Sequence, residues 1–111
     1  FMVVDKGDNP LNFVDPSGTA MFVYSIQRGV ELGLLKAKEY TPVAYRGYQS
    51  LFPFIQVNDR GLLDVIGACD GVVIKKNFVE YVTVPKILNA KEAVAGILWA
   101  AVIMETGQLK K

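Results

Sequence analysis

Asp15-Pro16-Ser17-Gly18-Thr19-Ala20-Met21-Phe22-Val23-Tyr24 carries the reading of the fold. Asp15 is a residue type whose side chain accepts a hydrogen bond from the first unpaired N–H groups of a helix. Pro16 then falls at the first helical position, where a missing N–H is no loss. Ser17 is the alternative cap. From there Ala20, Val23, Ile26, Val30 and Leu34 recur at spacings of three and four, which sets one apolar stripe on a helix. Met21 and Phe22 widen the stripe, as expected for a helix packed on two sides. Gly33 is placed to end the helix in the left-handed conformation. Lys36 and Lys38 then lie near the negative end of its dipole.

Thr41-Pro42 repeats the cap-then-proline signal and predicts a second helix. Ala44, Gly47 or Tyr48, Leu51 and Phe54 or Ile55 continue its period, and Pro53 should kink or end it, because it lacks the N–H and crowds the preceding turn. The short connection predicts an antiparallel pair. Asn89 reads as the cap of a third helix, with Glu92 three residues later in a capping-box arrangement. Its apolar face is expected at Ala90, Val94, Ile97, Leu98, Ala101 and Met104, with Gly107 ending it. The alanines and Gly96 allow another helix to approach closely.

Between these helices the pattern changes. Asn58-Asp59-Arg60-Gly61 and Asp70-Gly71 are turn signals. Leu62–Ile66, Val72–Ile74 and Phe78–Val84 are rich in β-branched and aromatic residues, which predicts short strands or extended loops with a hairpin about Asp70-Gly71. Residues 1–14 read as an irregular lead-in.

Composition narrows the function classes. Of 111 residues, 51% are hydrophobic, and 12 Lys+Arg stand against 11 Asp+Glu for a net charge of +1. Lys75-Lys76 and Lys110-Lys111 are isolated doublets, so no basic patch points to nucleic acid. There is no histidine. That excludes a Ser-His or Cys-His catalytic unit within these residues and argues against zinc or copper sites. No cofactor is implied. Cys69 is the single cysteine, so no intramolecular disulfide forms here. The longest apolar run, Val94 to Met104, is too short to span a bilayer. The mean hydropathy of +0.27 is high for a free-standing domain of this size, which suggests apolar surface normally covered by something else.

In order and spacing, three blocks resemble the C-terminal region of the unsaturated glucuronyl and rhamnogalacturonyl hydrolases, glycoside hydrolase families 88 and 105. The first is Ser17-Gly18-Thr19-Ala20-Met21-Phe22-Val23-Tyr24 with Gly29-Val30 and Gly33-Leu34-Leu35. The second is Tyr40 with Pro42-Val43-Ala44. The third is Val65 through Cys69, then Glu80-Tyr81, Pro85, Asn89, Lys91 and the helix ending in Met104-Glu105. The resemblance implies a mainly α fold: the C-terminal segment of an (α/α)6 barrel, with about three helices plus a short β-hairpin or extended loop region. Residues 1–111 then form a single partial domain. Phe1-Met2-Val3-Val4-Asp5 does not look like a natural start, in keeping with a piece of a longer bacterial enzyme of the cytoplasm or periplasm.

The implied chemistry is hydration of a 4,5-unsaturated uronic acid at the non-reducing end of a lyase-generated oligosaccharide. An Asp protonates the double bond and activates the adding water, and the unstable hemiketal opens to release the next sugar. The family's catalytic Asp residues lie upstream of the matched region, so none is assigned here and the isolated chain is expected to be inactive. Many members carry a Gly-rich stretch and an Arg-Asp-Gly-Ser-Tyr-like run where this chain has Gly71–Val79.

Four residues are candidates for substrate contact. Asp70 is either a turn residue or lies at the barrel mouth. Lys86 and Asn89 precede a helix N-terminus, where a uronate could bind, although capping alone explains Asn89. Tyr81 is a core residue or a sugar platform. Asp15 and Ser17 are caps first. Trp99 is expected in the core, Cys69 as an inert buried thiol, and Asp64 on the polar side of a strand. The partners implied are the oligosaccharide, through the parent enzyme, and the remainder of the barrel. A different class of reading is a non-catalytic helical module that uses its apolar surface for self-association or partner binding. A carbohydrate-binding module is disfavoured, because such modules are usually all-β.

Overall fold

A computed structural model describes residues 1–109, with side chains to Thr106. The Lys110-Lys111 doublet lies outside the described residues. After a 3₁₀ turn at Val4–Lys6 come α1 (Pro16–Glu31), α2 (Ala37–Gln49), β1 (Ile55–Val57), β2 (Leu63–Val65), β3 (Ala68–Cys69), α3 (Phe78–Val82), β4 (Lys86–Ile87) and α4 (Lys91–Leu109).

α1 begins as its sequence dictates. Asp15 is its cap, the side chain accepting from the Ser17 N–H at 3.0 Å, and Pro16 opens the helix. Its C-terminal end closes through Gly33, at φ +72°. The Leu34 N–H donates to the Gly29 carbonyl at 2.8 Å, and the Gly33 N–H to Val30 at 3.0 Å. This double bond pattern satisfies the last carbonyls of the helix, and only a residue without Cβ adopts it freely. Arg28 and Glu31 form a surface pair at 3.0 Å.

α2 begins four residues before the expected Thr41-Pro42 signal, and Pro42 lies inside it. Ala37, Lys38 and Glu39 are good helix formers, and they extend the helix past a proline placed early enough to forfeit only one backbone bond. Lys36 and Lys38 therefore belong to the start of α2 and not to the end of α1. α2 stops at Gln49, ahead of a 3₁₀ turn at Phe52–Phe54 that contains Pro53.

Small residues bring the helices together. A Cβ on Gly47 would stand 2.7 Å from Val23 Cγ2, and one on Gly96 would stand 3.2 Å from the Ala20 Cβ. α1 thus has α2 on one side and α4 on the other. Val23 faces Gly47 and Gly29 faces Leu35, so α1 and α2 run antiparallel. Ala20 faces Gly96 and Tyr24 meets Trp99, so α1 and α4 run parallel. Ala20, Ala44, Ala93 and Ala100 are fully buried where the three helices converge, with Val23, Tyr48, Leu51, Ile97 and Met104 around them. Tyr48 ties α2 to α4, its hydroxyl donating to Glu105 Oε1 at 2.8 Å.

The middle of the chain departs from expectation. The hairpin forms at Asn58–Gly61: β1 pairs antiparallel with β2, Ile55 opposite Val65 and Val57 opposite Leu63. Asn58 Oδ1 accepts from the N–H groups of Arg60 and Leu62, and Gly61 adopts φ +74°. No hairpin forms at Asp70-Gly71; β3 pairs instead with the distant β4, Ala68 opposite Ile87 and Cys69 opposite Lys86. The run Phe78–Val84, expected as a short strand or extended loop, is largely the short helix α3. Asn77 caps it, its Oδ1 accepting from the Glu80 N–H at 3.0 Å, while Glu80 Oε2 accepts from the Lys76 N–H at 3.2 Å. These paired caps outweigh the β-branched composition of the run.

α4 differs at both ends and in its faces. Asn89 is not its cap; the Ala90 carbonyl takes the first helical bonds, from Ala93 and Val94. The helix runs through Gly107 to Leu109, since an interior glycine weakens a helix without ending it. Its buried stripe is Ala93, Ile97, Ala100 and Met104, whereas Leu98 (61% exposed), Trp99 (59%) and Val102 (60%) face outward. Met21 and Phe22 of α1 are exposed as well. The two-sided packing of α1 is real, but it uses Ala20, Val23 and Tyr24.

Candidate functional site

The parallel run of α1 and α4 puts both N-termini at one end of the molecule. β3 reaches the same end, and a recess of about 210 Å³ opens there between Asp15 and Ser17 of the α1 start, Cys69 of β3, Gly71 and Val72 beyond it, and Glu92 in the first turn of α4. Two helix N-termini direct partial positive charge toward this end.

Inside the recess the polar groups are mostly spoken for. Ser17 Oγ donates to both carboxylate oxygens of Asp15, at 2.9 and 3.0 Å, so cap and hydroxyl hold one another. Cys69 is buried and its thiol pKa is raised, first by burial and then by the Asp15 charge, with Lys86 pulling the other way. A thiol so placed stays protonated at neutral pH and acts as a small apolar side chain. Glu92 differs from these: its Oε2 is buried without a hydrogen-bond partner. Nothing in the sequence marked it beyond a capping-box role that it does not fill.

The four candidate residues do not converge on one point: none of them lines the recess, though Asp70 and Lys86 neighbour Cys69, which does. Asp70 is exposed, between two residues that line the recess. Lys86 stands across the β3–β4 ladder from Cys69, and its ammonium lies 3.9 Å over the Phe13 ring. Tyr81 is half-buried, and its hydroxyl accepts from the Lys75 N–H at 3.1 Å, which fastens the loop after β3 to α3. Asn89 adopts φ +54° and turns toward β2: Oδ1 accepts from the Val65 N–H at 2.7 Å and Nδ2 donates to Asp64 Oδ1 at 2.9 Å.

A second concavity, about 530 Å³, runs along the α1–α4 seam on the side away from α2, lined by Met21, Tyr24, Ser25, Glu92, Ala95, Gly96 and Trp99. Trp99 meets Tyr24 edge-on, ring centres 5.0 Å apart. The placement of Trp99 in the core is therefore corrected: one edge packs, and the rest is open. Among the described residues no cluster of three His, Cys, Asp or Glu could hold a metal ion, and no helix is long and apolar enough to cross a membrane.

Comparison with known proteins gives this arrangement its context. The structure is similar to that of a family 105 glycoside hydrolase from C. acetobutylicum ATCC 824, at a TM-score of 0.84 and 27% sequence identity. The match takes in 94% of this chain and 31% of that one, so the chain spans about a third of the length of the enzyme it resembles. The helices and small antiparallel strands are thus part of an (α/α)6 barrel. The family model for Glycosyl Hydrolase Family 88 matches residues 2–107, nearly the whole sequence, and on that ground the chain belongs to glycosyl hydrolase family 88.

Proposed function

We propose that the chain is the C-terminal part of a hydrolase that hydrates the 4,5-unsaturated uronic acid at the non-reducing end of lyase-generated oligosaccharides. The family match over residues 2–107 carries this reading. In the reaction a carboxyl proton goes to C4 and water oxygen bonds to C5, converting the double bond to a hemiketal. Ring opening then lets the next sugar leave. This chain supplies packed helices and part of the wall at the end where α1 and α4 begin. The acid–base carboxylate comes from the remainder of the barrel, so the chain alone does not turn over substrate.

Lys86 is the residue best suited here to meet the uronate. Its ammonium is exposed on the Phe13 ring, beside the recess. Asp70 stands nearby as a hydroxyl acceptor. Tyr81 acts through the loop it fastens, and Asn89 through the strand it holds.

The test uses the enzyme that carries this chain, with an unsaturated uronide. Hydration removes the absorbance of the conjugated acid as the next sugar is released. Release with the absorbance retained would mean direct displacement at the anomeric carbon, and would overturn the reading.

A further inference from the structure

We propose that Phe13 is a positioning residue for substrate binding: its ring holds the Lys86 ammonium beside the recess, and the lead-in before α1 exists to present that ring. The role rests on the reading of Lys86 as the uronate contact and extends it to a second residue and a second segment.

The lead-in contains no regular element beyond one 3₁₀ turn, yet it is tightly fixed. The Asn12 amide is its centre. Nδ2 donates to the carbonyls of Val3 and Lys6 at 2.8 and 2.9 Å. Oδ1 accepts from the N–H groups of Val3 and Phe13 at 3.2 and 3.0 Å. The Met2 N–H donates to the Phe13 carbonyl at 2.8 Å, which closes residues 2–13 into a loop whose ends meet. Both main-chain groups of Phe13 are thus bonded, so its ring starts from a fixed point.

Lys86 arrives from the other end of the chain. On the β3–β4 ladder it stands opposite Cys69, so the two side chains leave the ladder on the same face. Cys69 lines the recess, and the Lys86 charge is felt at its thiol. The ammonium lies 3.9 Å from the centre of the Phe13 ring. Among the described residues no carboxylate pairs with Lys86. An ion pair would position the lysine but neutralise it. A ring face positions it and leaves its charge, and the hydrogens turned away from the ring, open to a carboxylate. A free lysine samples many rotamers that an incoming anion must fix. Phe13 does part of that fixing before the uronate arrives, which lowers the cost of binding.

The experiment uses the enzyme that carries this chain and takes two readouts. The first needs no substrate. The lysines are reductively methylated with isotope-labelled formaldehyde, and the Lys86 signal is identified by its loss in Lys86→Arg. Its methyl protons should resonate upfield of free dimethyl-lysine, because they lie over a ring face, and should move back in Phe13→Leu. A Lys86 signal at the free position would overturn the proposal. The second readout is KM for an unsaturated uronide. Phe13→Leu should raise KM about two- to five-fold, the range of an exposed cation–π contact, with kcat nearly unchanged. Phe13→Tyr keeps the ring face and should stay near the unaltered enzyme. In a Lys86→Ala background, Phe13→Leu should change KM no further. An equal rise in both backgrounds would mean that Phe13 acts on the substrate or the fold without Lys86, and would overturn the proposal. An unchanged KM in Phe13→Leu would overturn it as well. An upfield methyl signal with no effect of Lys86→Ala on KM would remove Lys86 from the binding site and the positioning role with it. Sugar release with the double-bond absorbance retained removes the hydration reading alone, since KM for release still reports whether Phe13 acts through Lys86.

Discussion

Asn89 grips Asp64 across the front of the molecule. Its Nδ2 donates to the Asp64 carboxylate at 2.9 Å, while its Oδ1 and backbone N–H bond the two main-chain groups of Val65 at 2.7 and 2.8 Å. A side chain here substitutes for a strand and fixes the β1–β2 hairpin to the start of α4. The left-handed backbone at Asn89 is what aims the amide backwards, and asparagine tolerates that conformation better than most residues.

Removing this grip should loosen the hairpin. Asn89→Ala loses the hydrogen bonds and adds left-handed strain, an expected loss of about 1–3 kcal/mol in urea unfolding. Asn89→Gly loses the same side-chain bonds but relieves the backbone, so its loss should be smaller. Equal losses would show that the backbone conformation contributes nothing.

Gly96 sets the distance between α1 and α4. A Cβ there would meet the Ala20 Cβ at 3.2 Å and the Ser17 carbonyl oxygen at 3.5 Å, neither of which can rotate away. Gly96→Val should force the helices apart and cost about 1–3 kcal/mol. Gly47→Ala adds only one methyl, but 2.7 Å from Cγ2 of the buried Val23, whose β-branched side chain has little freedom to turn in a helix, so its cost should fall in the same range. Thermal unfolding of both variants checks this.

Tyr48 makes stability depend on alkaline pH. Burial first, then its bond to Glu105 and the charge of that carboxylate, push its phenol from 10.0 to about 12. The folded state holds the proton more tightly than the unfolded chain. The contribution is therefore complete below pH 10 and is lost as pH rises through about 12. Tyr48→Phe should lower stability at pH 8 by about 1 kcal/mol, and should flatten the decline above pH 10. Denaturation midpoints at several alkaline pH values measure both.

The parts legible in the sequence are those governed by neighbours along the chain. Asp15-Pro16 at the start of α1, Gly33 at its end, and the Ala44–Tyr48 face of α2 follow from local backbone chemistry and period. Asn77-Phe78-Val79-Glu80 held an equally local cap signal for α3, but its β-branched and aromatic composition masked it. Other features need the third dimension. Asn89 and Glu92 have the spacing of a capping box, and only the approach of β2 draws the Asn89 amide away. α4 is apolar all round, so periodicity cannot tell that Ile97 is buried and Leu98 bare. At the recess, the unpartnered Glu92 oxygen arises from helices meeting, and no motif announces it.

Lys86 offers the sharpest test among the candidate substrate contacts. In the enzyme that carries this chain, Lys86→Ala should raise KM for an unsaturated uronide several-fold with little change in kcat, because an ion pair with the uronate is made in ground and transition state alike. Lys86→Arg should recover part of the loss. Unchanged kinetics in Lys86→Ala would remove the residue from the binding site.

The central claim is that these residues are an incomplete barrel of a family 88 hydrolase, with the acid–base carboxylate elsewhere in the fold. The most direct measurement is turnover of an unsaturated uronide by the isolated chain beside the same chain completed to a full barrel, followed by loss of double-bond absorbance. The account predicts no turnover by the isolated chain and robust turnover by the completed barrel. Robust turnover by the isolated 111 residues would contradict it.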